Sequence, residues 1–154
     1  MTVTIDVESP LTDEVRTLIA ELNTALLALS PPEACYHLTV EEMADPTVTV
    51  WIARDGDTAI GCGALKRHSD TIGEVKRMFT RPAWQGQGVG RRMLEKILET
   101  AEREGLKTLV LETGDQHPAA WATYEKAGFA RCGPVLDYPD SPYSVFYQKQ
   151  LSAA

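Results

Sequence analysis

The run Gln85-Gly86-Gln87-Gly88-Val89-Gly90 separates two segments of opposite periodicity and constrains the fold more than any other part of the chain. Before it, Ile72 to Thr80 reads as a β-strand that Arg81-Pro82 closes. After it, Val89, Met93, Ile97 and Ala101 recur every four residues, with Leu94 and Leu98 beside them, which predicts a helix over 89–104 with Gly105 just past its end. Glycines let a backbone approach a ligand closely, and the helix turns its unpaired N–H groups and the positive end of its dipole toward the loop. Such a loop suits phosphate. Arg91 and Arg92 are electrostatically misplaced at a bare helix N-terminus, where acids are preferred, and make sense if an anion rests there. A glycine-rich turn with no ligand is the alternative. The P-loop pattern GxxxxGK[ST] is absent, and Gly86-x-Gly88-x-Gly90 starts too far past the strand for the dinucleotide fingerprint GxGxxG.

The other elements follow from local pattern. Val3, Ile5 and Val7 alternate as a strand, and Ser9-Pro10 reads as the start of a helix whose buried face is Val15, Leu18, Ile19, Leu22, Leu26 and Leu29, up to Ser30-Pro31-Pro32. Thr39 and Glu42 have capping-box spacing for a short helix near 40–44. Strands over 47–53 and 59–66, joined by Asp55-Gly56-Asp57, form a hairpin. Thr108–Leu111 is a short strand, Pro118–Ala127 a short helix closed by Gly128, and Ser144–Leu151 a last alternating strand. The order predicts an α/β chain with a mixed sheet and helices on its faces. At 154 residues one domain, 1–154, is expected.

Charge excludes some classes. A net charge of −7 argues against a nucleic-acid or anionic-membrane binder. Residues 66–92 nevertheless hold seven bases against two acids, a basic island suited to a compact polyanion or, equally, to a solvated face. The longest apolar stretch, Leu18 to Leu29, is broken by Glu21 and Asn23, short of a membrane span. Asp6 and Glu8 stand where a secretory signal would be basic and then apolar, so a cytoplasmic location is the default expectation. Cys35, Cys62 and Cys132 are odd in number, with no CxxC pair and no zinc-type histidine spacing, so reduced cysteines and no metal site are expected.

Two motifs together carry a resemblance. Gln85-x-x-Gly88-x-Gly90 resembles the acetyl-CoA loop of the GCN5-related N-acetyltransferases (GNAT family), preceded by Met78-Phe79-Thr80-Arg81-Pro82. Tyr124-Glu125-Lys126-Ala127-Gly128-Phe129 resembles the family's downstream Y-E-x-x-G-F signature. The likeness spans about residues 45–150 and implies the GNAT fold, a mixed and mostly antiparallel central sheet with helices on both faces. It implies an acyltransferase with acetyl-CoA as co-substrate. Backbone groups of Met78, Phe79 and Thr80 would pair with the pantetheine arm. Gln85, Gly86, Gln87, Gly88, Val89, Gly90 and Arg91 would hold the pyrophosphate.

The same resemblance implies catalytic roles. Tyr124 matches the tyrosine that protonates the departing thiolate, with a core aromatic as the bland reading. Glu74, eleven residues before Gln85, stands where histone-acetylating relatives place a general base; an exposed glutamate paired with Lys76 or Arg67 is its alternative. Glu112 is second choice as base. His117 stands where relatives often carry an asparagine that contacts pantetheine; a histidine there could make a similar contact, serve as a base, or just lead into the Pro118 helix. A backbone N–H near Phe79 would polarise the thioester carbonyl. A covalent acyl-enzyme on Cys62 or Cys132 is disfavoured, since neither lies in a recognisable His-partnered motif.

The expected activity is direct acetyl transfer to a small primary amine in a ternary complex. A non-catalytic acyl-CoA-binding regulatory module, and acetylation of a protein lysine or N-terminus, are the competing readings. Lys66, Arg67, Lys76 and Arg77 fall on adjacent strands, and gathered beside Glu74 they would favour an amine that also bears a carboxylate. Against this, strand parity sets Lys76 and Arg77 on opposite faces. Oligomeric state is not legible in the chain, and a homodimer stays open.

Overall fold

Seven strands form one sheet in the order β1-β2-β3-β4-β5-β7-β6 in the computed structural model, which describes residues 2–35 and 37–151. They are β1 (Val3–Val7), β2 (Val48–Asp55), β3 (Thr58–Arg67), β4 (Ile72–Thr80), β5 (Thr108–Gly114), β6 (Ala130–Cys132) and β7 (Ser144–Gln150). The helices are α1 (Asp13–Leu27), α2 (Val40–Met43), α3 (Val89–Arg103) and α4 (Pro118–Lys126). β4 and β5 pair parallel and all other neighbours pair antiparallel, which is the mixed sheet read from the sequence. Among the described residues no helix is long and apolar enough to cross a membrane.

Alternation along the strands builds a core on each face. In β2, Trp51 and Ala53 pack with Met93, Leu94 and Ile97 of α3. Val50 and Ile52 pack with Val15, Leu18, Ile19 and Leu22 of α1. Thr39 and Glu42 form the expected capping box on α2. The β2–β3 hairpin turns at Gly56, whose φ of 60° suits glycine.

α1, β5 and β6 differ from expectation, β5 by running on past Leu111 to Gly114. α1 starts at Asp13, because Thr12 accepts from the backbone N–H of Val15 while Ser9 accepts from that of Leu11. It ends at Leu27, which leaves Leu29 off the buried face and 45% exposed. β6 has no apolar alternation to announce it and is defined by its pairing with β7.

Two irregularities of β4 shape everything that follows. β4 pairs with β5 only over Ile72–Glu74 against Thr108–Val110, and beyond that the strands part, so the β4 edge from Val75 to Thr80 faces a cleft. On its other side the register with β3 slips by one residue between Cys62 and Ala64, opposite Lys76 and Phe79. The extra residue is a β-bulge, and within it Arg77 adopts φ 59°. A left-handed backbone costs a non-glycine residue roughly 1–2 kcal/mol. Gly63 faces the bulge, and a Cβ there would lie 2.7 Å from Met93 Cγ and 2.8 Å from Met78 Sδ, so the close approach depends on glycine.

The bulge also reverses side-chain parity. Val75 lies in the α3-side core, but past the bulge Met78 packs on that side and Phe79 on the α1 side. Lys76 and Arg77 therefore line one cavity beside Leu22 and Leu26 of α1. Simple alternation, which would set them on opposite faces, is overridden.

Candidate active site

The parting of β4 and β5 opens two cavities that meet. The first, about 320 Å³, is lined by Met78, Phe79, Thr80, Gln85, Gly86, Gly88, Val89, Gly90 and Arg91 from β4, the loop and the start of α3, and by Ala119, Ala120, Thr123 and Tyr124 of α4. Gly88 is the N-cap of α3 at φ 84°, no side chain caps the helix, and its first turn holds no acid. The first-turn N–H groups are thus left for an external acceptor. A Cβ at Gly86, Gly88 or Gly90 would have no atom within 4 Å, so the loop surface is open. Gln85 and Gln87 shape the loop by donating to the carbonyls of Thr80 and Ala83, at 2.8 and 3.3 Å. Gln87, alone among the expected loop residues, does not line the cleft.

The second cavity, about 100 Å³, lies on the α1 side and includes Glu74, Lys76, Arg77, Glu112, His37 and His117. Met78 and Tyr124 line both cavities. His117 lines this second cavity, and its ring packs against Gly114, where a Cβ would stand 2.6 Å from a ring carbon. Its Nε2 is buried without a partner, and burial pushes its pKa down against the opposing pull of Asp115.

Two carboxylates face this cavity in different settings. Glu74 is 2% exposed, in contrast to the exposed strand-edge alternative. One of its oxygens meets His68 Nε2 at 2.8 Å; the other accepts from the Tyr138 hydroxyl at 2.5 Å and from Lys76 Nζ at 3.2 Å. Glu112 accepts from the Ser144 hydroxyl at 2.8 Å on one oxygen. Burial pushes the Glu112 pKa up and the Glu74 charge adds to this, while the Ser144 bond and Lys76 oppose it. Tyr124 is buried edge-on to Phe129, with ring centres 6.0 Å apart, and its hydroxyl has no hydrogen-bond partner among the described residues. Burial, helped by Glu112, pushes the pKa of this phenol well up.

The basic island does not assemble as the charge count suggests. Arg67 binds Glu104, Arg81 binds Glu21, and Arg92 donates to the Val3 carbonyl. Arg91 makes only a 3.6 Å contact with Glu95 and, at 71% exposure, remains beside the loop. The sequence did not single out Tyr138, His68 or Ser144 as contacts of the two carboxylates.

This arrangement has counterparts among known proteins. The model of the Acetyltransferase (GNAT) family matches residues 15–129. An IAA acetyltransferase from Azospirillum brasilense is 43% identical over 97% of this chain and 98% of its own. A crystal structure from Klebsiella pneumoniae subsp. pneumoniae, assigned as an acyl-CoA N-acyltransferase, superposes with a TM-score of 0.82 at 30% identity, covering 98% of this chain and 99% of that one. The PaiA N-acetyltransferase of Thermoplasma acidophilum, solved in complex with coenzyme A, shares the fold with a TM-score of 0.75 at 16% identity, over 97% and 99% of the two chains. The family match, the close relative over nearly the full length and the parted β4–β5 sheet agree: this chain belongs to the GNAT acetyltransferases.

Proposed function

We propose that the protein transfers the acetyl group of acetyl-CoA directly to a small primary amine in a ternary complex. The observation that carries this reading is the meeting of two cavities at Tyr124 and Met78, one bordered by the glycine loop and the start of α3 and the other by Glu74, Glu112, Lys76 and Arg77. The open glycine loop, the uncapped α3 N-terminus and the coenzyme A complex of the Thermoplasma relative support acetyl-CoA as the donor.

Each proton then has a place to go. Glu112, with a raised pKa and one oxygen not held by Ser144, takes the proton from the incoming ammonium. Glu74 carries three donors on its two oxygens and serves better to hold Lys76 and Tyr138 in the cavity wall, so the order of preference read from the sequence is reversed. The free amine attacks the thioester carbon, a backbone N–H of β4 near Phe79 receives the developing oxyanion, and the C–N bond forms as the C–S bond breaks. Tyr124, held protonated by its burial, donates to the departing thiolate. A covalent route through Cys62 is disfavoured on physical grounds: this thiol is 1% exposed, its pKa is pushed up to about 12, and it donates to the Arg77 carbonyl.

The small volume of the second cavity favours a small acceptor over a protein lysine or N-terminus. Thiol release from acetyl-CoA across a panel of small amines and lysine- or alanine-ended peptides, with the acetylated product weighed by mass spectrometry, tests the reading. Amine-dependent release with a small amine as the best acceptor is expected. Binding of acetyl-CoA with no amine-dependent release would favour the non-catalytic module, and a preference for peptides would favour the protein-acetylating one.

A further inference from the structure

Arg77 is 7% exposed, yet among the described residues its only side-chain partner is the neutral Oδ1 of Asn23 on α1. Its Nε is buried with no hydrogen-bond partner among the described residues. Arg16, Arg54, Arg67 and Arg81, all on more exposed ground, each hold a carboxylate. Burial pushes the Arg77 pKa down, and the one group that opposes this is the Cys62 thiol, which is itself kept protonated. A guanidinium withdrawn from water without a counter-ion is costly, and a bulge with a left-handed non-glycine residue is what brings it to the acceptor cavity.

The charges around the cavity fall into two groups. Glu112 feels Lys76 and Glu74. His37, which also lines the cavity and has an unpartnered Nδ1, has its pKa pushed down by burial and then by the nearby Arg77 and Lys76, against Glu42. Glu74 and Glu112 stand on the paired strands β4 and β5, with Lys76 on Glu74, while Arg77 reaches across to Asn23 of α1.

We propose that Arg77 is a specificity-determining residue that binds a carboxylate on the acceptor, so that the acceptor is a zwitterion of amino-acid type, its amine toward Glu112 and Tyr124 and its carboxylate on the guanidinium. This rests on the acetyl-transfer reading above. Of the four bases grouped from the sequence, Arg67 is held by Glu104 and Lys76 by Glu74, so the role falls to Arg77, which lines the cavity and holds no carboxylate among the described residues. A guanidinium recognises a carboxylate through paired N–H groups, which a neutral amide or a bare alkyl chain does not satisfy.

The experiment compares kcat/KM for amino acids and for the matching amines that lack the carboxylate, in wild type, Arg77→Gln and Arg77→Lys. Acetyl-CoA affinity by calorimetry reports whether each variant retains its fold and donor cleft. The wild type should favour the carboxylate-bearing member by about 10–100-fold, the range of a charged hydrogen bond. Arg77→Gln should bring that ratio toward one, mainly through KM, and Arg77→Lys should restore part of it. A wild-type ratio at or below one, or a ratio that survives in a folded Arg77→Gln, overturns the proposal. Should Arg77→Gln fail to fold, the wild-type ratio decides alone. Amine-dependent thiol release without a carboxylate preference sinks only this inference, whereas no release with any amine removes the acetyl-transfer reading as well.

Discussion

Lys76 and Arg77 are consecutive, yet both line the same cavity, because the bulge opposite Gly63 inserts one residue and turns Arg77 through φ 59°. The bulge does two jobs at once. It places two cations on the α1 side of β4, and it leaves Met78 and Phe79 with reversed parity at the edge that faces the donor cleft.

Gly63→Val should therefore reach both stability and the site. Its side chain would run into Met93 and Met78, and overpacking of this kind costs about 1–3 kcal/mol. Urea unfolding should show that loss, and acetyl-CoA affinity should fall with it because Met78 lines the cleft. A variant of wild-type stability would mean that the glycine is not needed for the close approach.

Glu112→Gln should lower kcat by about 10²–10⁴-fold with acetyl-CoA affinity kept, the range for a lost general base. The base must be ionised to act, and burial raises the Glu112 pKa, so the rate should fall with decreasing pH at a midpoint above the usual carboxylate range. The groups around it, Lys76, Glu74 and Ser144, set that midpoint. Stopped-assay pH profiles of wild type and of Glu112→Gln and Glu74→Gln would separate the carboxylates. A full-rate Glu112→Gln beside an inactive Glu74→Gln would return the role to Glu74.

Tyr124→Phe keeps the edge-on packing with Phe129 and removes only the hydroxyl, so its melting temperature should stay close to that of wild type. Turnover should drop by about 10²-fold, less at low pH, where solvent supplies the proton. A defect independent of pH would assign the hydroxyl to positioning instead.

The Arg67–Glu104 pair ties the end of β3 to the residue after α3 with contacts of 2.6 and 2.7 Å. The Arg67 bond lowers the folded-state pKa of Glu104. Its contribution is therefore complete above the unfolded-state value and fades as pH falls through the folded-state value. Exposure limits it to about 1 kcal/mol. Urea midpoints of wild type and Glu104→Gln should differ at pH 7 and draw together as pH falls below the usual carboxylate range; a difference unchanged by acid would point to packing.

Legibility in the sequence followed the range of the interaction. The glycine loop, the α3 stripe, the hairpin at Gly56 and the Thr39–Glu42 box are local patterns, and all appear in the structure. The bulge arises from register between Gly63 and Arg77, and the Tyr138 contact with Glu74 spans 64 residues, so neither has a local signature. Charge counting over 66–92 misled for the same reason: Arg67 and Arg81 find their acids at Glu104 and Glu21, outside the window counted.

The donor cleft is tested most directly by calorimetry of acetyl-CoA on wild type and Gly90→Glu, with thermal unfolding of both. Gly90 lies in the first turn of α3 and a Cβ there meets nothing within 4 Å. A glutamate at this position raises helix propensity and suits the dipole, so Gly90→Glu should be at least as stable as wild type. It also puts a negative charge where the pyrophosphate should rest. The account predicts wild-type binding of acetyl-CoA and an affinity weakened by at least ~100-fold in a fully folded Gly90→Glu, a change of roughly 2.7 kcal/mol. Equal affinity in the two proteins would contradict it.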